Sequence, residues 1–225
     1  MGTFTLSKTN RLYWLGRYVE RAYLAIELME QAYDVSLDGP AFDYADYCER
    51  LQITNCYNDI DDFLQRYLFD PTDPNSAASA LDRAFDNAMV LRETLGSLTL
   101  SYVQMAKNVM DNAKVSLAPM LDLQDIHDYL MAFKGCVDDY ISDEDSRMII
   151  KTSATLERID MCLRLEYKLE DLPFQFTRLS NRLASTHMQR DGKQLQLLMN
   201  LIPDPNPVAN KEILLECLEN LLPDA

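Results

Sequence analysis

The chain has 225 residues and a formal net charge of −15; hydrophobic residues make up 48% and charged residues 25%, with only 6 glycines and 9 prolines. That balance excludes a disordered, collagen-like or low-complexity chain, because there is ample apolar mass to offset the entropy of ordering. The acidic excess repels nucleic acid and anionic membrane over most of the surface, so neither is expected as a partner.

Met1 is followed by Gly2-Thr3-Phe4-Thr5, with no basic-then-apolar leader pattern. The densest apolar stretch, 195–202, is interrupted by Gln196 and Asn200 and falls short of the roughly 18 residues of a spanning helix. A cytoplasmic protein is expected. Cys48, Cys56, Cys136, Cys162 and Cys217 are scattered without a CxxC pair, which points to reduced thiols and no metal site.

Leu12, Leu15, Val19, Ala22, Ile26, Met29 and Tyr33 recur at alternating spacings of three and four. This seam predicts a long helix over about 8–37, capped at Ser7 or Thr9 and ended by Gly39-Pro40. A looser pattern (Leu51, Ile60, Phe63, Leu64, Tyr67) predicts a second helix over about 42–69, stopped by Asp70-Pro71. A turn at 72–76 follows, with Asn75 or Ser76 as a cap. Leu81, Ala84, Ala88, Leu91, Leu95, Leu98, Tyr102, Met105 and Val109 then predict one long helix over about 77–114, with Gly96 inside it as a kink or a point of close approach.

Asp122 is expected to cap a fourth helix whose inner face is Ile126, Leu130, Phe133, Val137 and Tyr140. The short turn at 142–145 leads into a fifth, about 146–170, ended by Pro173; so tight a turn implies antiparallel neighbours. A sixth runs over about 174–190. Two shorter ones, about 193–201 and 208–222, are separated by a proline-rich stretch at 203–207. No segment alternates like a strand. The expected fold is all-α: a single-domain bundle of long antiparallel helices over 1–225, with the short helices at about 193–222 as an appendage.

A shift of 137 residues places Glu20-Arg21 on Glu157-Arg158, and also Leu12 on Ile149, Val19 on Leu156 and Ile26 on Leu163. This weak internal repeat suggests two related helices facing each other. On the first, Tyr13, Trp14, Arg17, Glu20 and Arg21 lie away from the apolar seam. A merely solvated face rarely carries the chain's one Trp, so this face is expected to be buried as well, with its charges paired. Two readings are open: an ion-pair network between Glu20-Arg21 and Glu157-Arg158, or a polar pocket whose arginines grip a carboxylate or phosphate. In the second, Glu20 and Glu157 are the candidates for acid–base catalysis, with Arg17, Arg21, Arg158 and Asp160 binding substrate or partner.

Arg92-Glu93 belongs either to an exposed face or beside that pocket. Arg178 and Arg182, four apart on one face, form either a solvated basic strip or a contact for an acidic partner or a nucleotide phosphate. The chain has no GxGxxG, Walker A or G-x-S-x-G sequence. His127 and His187 stand apart with no Glu-x-x-His pair, so a di-iron bundle is unsupported and His127 is read as structural.

The stretch LSKTNRLYWLGRYVERA, 6–22, resembles the opening signature of the bacterial alpha-E domain family. DPNSAASALDRAFDNAMVLRETL, 73–95, is similar to the family's second conserved stretch, and SATLERIDMCLRL, 153–165, to its third. The sequence departs from the family at Tyr23, where ERAE becomes ERAY, and at Thr152-Ser153-Ala154 in place of Leu-Gly-Arg. Leu98 stands where relatives carry a Glu, and on the expected seam it would face the bundle interior. The resemblance implies a helical subunit working with a circularly permuted ATP-grasp protein in ATP-dependent amide bond formation, on a peptide or small amino acid. ATP and Mg²⁺ are then expected on the partner, with no cofactor held by this chain. A stand-alone enzyme with a Glu/Arg pocket and a noncatalytic binding scaffold are the alternatives.

Overall fold

A computed structural model describes residues 2–38, 42–116, 119–204 and 206–223, with the backbone alone at 2–7, 36–38 and 120. Among the described residues there are helices and no strand, so the fold is all-α. Helix α1 (Gly2–Asp38) spans 37 residues, about 55 Å at 1.5 Å per residue. Leu12, Leu15, Val19, Ala22, Ile26 and Met29 are all buried, as their spacing predicts, whereas Tyr33 at the end of the expected seam is exposed. The helix begins at Gly2, so Ser7 and Thr9 are both inside it and neither is its cap; the expected stop at Gly39-Pro40 lies outside the described residues.

The second expected helix is two. Helix α2 (Tyr44–Leu51) ends where Gln52 adopts a left-handed conformation, and α3 (Ile60–Phe69) starts afresh at Asp59, whose carboxylate accepts from the Asp62 amide. The intervening loop is rich in residues whose short polar side chains compete for backbone groups: Asn55 accepts from the Tyr57 amide, and Asp62 from Asn58. An aromatic cluster around Phe63, with Tyr44, Tyr47, Tyr57 and Tyr67, holds the two helices together. Ser76 caps the next helix as expected, accepting from the Ser79 amide at 2.9 Å.

The expected single helix over 77–114 is a helical hairpin. Helix α4 (Ala77–Val90) continues through Leu91 into α5 (Arg92–Ala113), but Gly96, at φ 74 and ψ 162, is not helical. In a straight helix Lys107 and Asp82 would be about 37 Å apart at 1.5 Å per residue. Instead they form an ion pair, so the chain has reversed. The seam therefore slips by one residue. Beyond Gly96 the buried positions are Thr99, Val103, Ala106, Met110 and Ala113, while Leu98 is 44% and Met105 42% exposed.

Helix α6 (Pro119–Tyr140) starts before Asp122, which sits within its first turn instead of capping it. Its inner face carries Ile126, Leu130, Phe133 and Val137, and ends on Ile141 rather than the exposed Tyr140. Helix α7 (Glu144–Leu165) is shorter than expected. It stops at Glu166 in a left-handed turn, with the Tyr167 amide bonding back to the Cys162 carbonyl. A short 3₁₀ turn leads into α8 (Leu172–Ala184), which ends six residues early. Helices α9 (Gly192–Leu201), capped by Asp191, and α10 (Lys211–Glu219) complete the chain.

Consecutive long helices run antiparallel, as the tight turns require. The central pair, α1 and α7, does not: it runs parallel, because Lys8 meets Asp143, Arg21 meets Glu157 and Gln31 meets Tyr167 at a nearly constant offset. α4 and α6 flank α1 in the opposite sense, through Arg11 with Asn87 and Lys134 with Glu20. α9 and α10 share the main hydrophobic core through Leu198, Leu214 and Leu221, and α10 is tied to the end of α7 by Arg164 and Glu219 at 2.9 Å. Among the described residues no helix is long and apolar enough to cross a membrane.

Candidate functional site

The second face of α1 lies on α7 because Gly16 permits it. A Cβ at Gly16 would run into the Ser153 hydroxyl and the Ile150 carbonyl oxygen, so only glycine allows the two helices to touch there. One turn beyond this contact the two Glu-Arg dipeptides meet and exchange partners. Arg158 Nη2 lies 2.5 Å from Glu20 Oε1, and Arg21 Nε lies 2.5 Å from Glu157 Oε1. Each glutamate has a second cation as well: Lys134 of α6 at 2.8 Å from Glu20 Oε2, and Arg17 against Glu157 Oε2. The ion-pair network expected from the sequence is present, and it contains four cations around two carboxylates (4 − 2 = +2).

Glu20 is 3% exposed and Glu157 fully buried. Burial alone would raise the Glu157 carboxyl, but the guanidinium groups of Arg17 and Arg21 carry it below the ordinary carboxylate value. It is therefore a fixed anion at neutral pH, and Arg17 is held charged in return. Burial lowers the Lys134 ammonium despite Glu20, and that ammonium sits 3.7 Å from the centre of the Tyr23 ring. The Arg158 guanidinium lies 5.7 Å from the centre of the same ring, so Tyr23 offers a π surface to two cations.

A cavity opens on either side of the quartet. The first, of about 360 Å³, lies between α1, α6, α7 and α8. Gly16 and Ala154 line it, with Val19, Phe133, Val137 and Ile150 as apolar lining. Its charged lining is Lys134, Lys151, Arg158, Arg178 and Arg182 against Glu20 and Asp138, a balance of 5 − 2 = +3. The second, of about 270 Å³, faces α2 and α10 and carries Arg17, Arg21 and Arg164 against Glu157, Asp160 and Glu219, a balance of 3 − 3 = 0. Of these two cavities, in a chain of net charge −15, the first favours an anion.

Arg182 is set into the first cavity by neutral acceptors. Its Nη1 donates to the Lys151 carbonyl at 2.9 Å and to the Thr155 hydroxyl. Burial, and then the neighbouring Arg178, push its guanidinium down to about 10. Arg178 lies against the Phe174 ring at 5.5 Å. Among the described residues neither arginine has a carboxylate within ion-pair distance, whereas Lys151 is paired with Asp138.

The sequence candidates thus divide. Glu20, Arg158, Arg178 and Arg182 line the first cavity; Arg17, Arg21, Glu157 and Asp160 line the second. Tyr13 is buried and its hydroxyl accepts from Arg17 at 3.1 Å, which supports the quartet from behind. Trp14 is half-buried rather than buried as expected, stacks on Tyr18 at 5.3 Å and borders neither cavity. Arg92 and Glu93 are exposed and line neither. Burial, reinforced by the charge of Glu157, raises the Asp160 carboxyl, which Arg164 meets at 3.1 Å. Lys134, Lys151, Thr155 and Arg164 were not singled out from sequence. A signal existed for Lys134, the one base in the acidic run 122–146. Among the described residues no three His, Cys, Asp or Glu side chains group to hold a metal ion.

Outside the site, His127 Nδ1 lies 3.1 Å from Glu30 Oε2 and Nε2 3.1 Å from the Tyr23 carbonyl oxygen. Both partners are acceptors, so the ring serves both only when doubly protonated. No curated protein and no solved structure matches the chain. A family model does: Alpha-E, described as a predicted alpha-helical domain with a conserved ER motif, matches residues 6–201.

Proposed function

The chain belongs to the Alpha-E family, and from that membership we propose that it is the helical subunit of an ATP-dependent amide ligase. Its partner in this reading is a circularly permuted ATP-grasp protein, which brings ATP and Mg²⁺ and phosphorylates a carboxylate; an amine then displaces the phosphate. The present chain holds and orients an anionic peptide or amino-acid substrate for that partner. The bacterial cytoplasm is the compartment this reading assumes.

One observation carries the proposal. The ER motif forms a quartet that, together with Arg17 and Lys134, sets four cations around two buried carboxylates, and a cavity opens on each side of it. Burying two glutamates among half-buried cations is expensive, and well-packed apolar residues in place of a buried ion pair are often neutral or stabilising for folding. The presence of these charges beside two cavities supports a role in holding charge for a ligand.

Co-expression of the chain with a circularly permuted ATP-grasp protein from the same genome tests this reading. Co-elution in size exclusion, with ATP turnover that depends on this chain, is the expected result. Separate elution with no change in ATP turnover would overturn it. A second reading, an enzyme acting alone, draws on Asp160, a buried carboxyl raised above its ordinary value at the rim of the second cavity. Turnover by the isolated chain that Asp160→Asn abolishes would favour that reading.

A further inference from the structure

We propose that the first cavity is a binding site for a dianionic phosphate group carried on a short apolar tail, with Arg178 and Arg182 as its principal ligands. This deepens the reading above by naming a ligand class, and it rests on that reading only for where such a ligand comes from.

Cations converge on the cavity from three helices: Lys134 of α6, Lys151 and Arg158 of α7, and Arg178 and Arg182 of α8. Three of the five are already engaged with carboxylates, Lys134 and Arg158 with Glu20 and Lys151 with Asp138. Arg178 and Arg182 remain, one turn apart and unneutralised among the described residues. Arg182 is half-buried and Arg178 exposed at the cavity, and the two like charges repel without an anion between or beside them. Arg182 is nonetheless pinned by the Lys151 carbonyl and the Thr155 hydroxyl through Nη1 alone, which leaves its other donors for a ligand.

The surplus of +3 matches a doubly charged group better than a single carboxylate, and guanidinium pairs suit the spread oxygens of a phosphate. Phosphate alone leaves much of about 360 Å³ unfilled. Val19, Phe133, Val137 and Ile150 are part of the lining, which suits a short apolar tail.

The test is calorimetric titration of the full-length chain with phenyl phosphate, a dianion at pH 7.5, and in parallel with butyrate, at low ionic strength. The expected result is binding of phenyl phosphate at about 1 mM or tighter, at least about tenfold stronger than butyrate, and weakening as salt is added. Arg182→Gln should weaken it by about tenfold or more. Arg178→Gln makes the same point without risk to the fold, because Arg178 has no protein hydrogen bond or ion pair to lose among the described residues; a loss of about threefold or more is expected. Arg92→Gln, outside both cavities, should leave affinity unchanged. The proposal is overturned by no binding up to about 10 mM, by butyrate binding as tightly, by Arg178→Gln without effect, or by Arg92→Gln weakening binding equally. None of these outcomes depends on an ATP-grasp partner, so a failed association and an empty cavity are told apart.

Discussion

Gly16 packs against Ser153, its counterpart under the shift that superposes the two ER dipeptides (153 − 16 = 137). The parallel helices α1 and α7 touch at that point, and one turn later Glu20 reaches Arg158 while Arg21 reaches Glu157. Gly16→Ala must push α7 away at a backbone carbonyl, which cannot rotate aside. A loss of about 1–3 kcal/mol or more is expected in urea denaturation. Wild-type stability in the variant would mean that the two helices are not in fixed contact.

Glu157→Gln removes the buried anion shared by Arg17 and Arg21 and leaves two half-buried guanidinium groups without it. The expected cost is about 3–5 kcal/mol at neutral pH. Because the folded carboxyl is held below its ordinary value of 4.5, its contribution is complete above that pH and is lost as pH falls through the folded value. The gap between wild type and variant should therefore narrow in acid. Denaturation midpoints of both proteins across pH 3 to 7 check this, and a gap of constant size would contradict the pairing.

His127 works in the opposite sense. Burial would lower its pKa, but the bonds to Glu30 and the Tyr23 carbonyl outweigh it and the folded value lies above 6.5. The stabilisation is complete below pH 6.5 and disappears as pH rises through the folded value. His127→Gln should cost most stability in mildly acidic buffer and least in alkaline buffer. NMR titration of the ring gives the independent check: a midpoint at or below 6.5 would exclude the doubly bonded imidazolium.

Two substitutions around the α4–α5 reversal have opposite expected outcomes. Gly96→Ala meets no atom within 4 Å, yet at φ 74 it should cost about 1–3 kcal/mol through backbone strain alone. Leu98→Glu should change stability by no more than about 0.5 kcal/mol, because the side chain points outward. Thermal melts of both variants test the reversal directly; on an uninterrupted seam Leu98→Glu would bury a charge and be severely destabilising.

The α1 seam, the burial of its second face and the Ser76 cap were legible because each is set within a few residues. Helical spacing tells which positions share a face, and a hydroxyl three residues before an amide caps it. The break between α2 and α3 was less visible, because Asn55, Asn58 and Asp59 compete with the helix one bond at a time, within an apolar pattern that still looks continuous.

By itself, then, the sequence determined that the fold is all-α, that α1 carries a second covered face beside its apolar seam, and that any charge buried on that face needs a partner, with an ion-pair network and a substrate pocket both open. Periodicity records which face is covered, since that follows from 3.6 residues per turn. It does not record what covers it. The parallel course of α1 and α7, the exchange of partners between the two dipeptides, and the arrival of Lys134, Lys151 and Arg182 at one cavity depend on crossings between segments far apart in the chain. Those crossings turn on single positions. Gly96 reverses the chain through one left-handed φ, and Gly16 admits α7 by lacking a Cβ, so only the tertiary structure decided where the unneutralised positive charge collects.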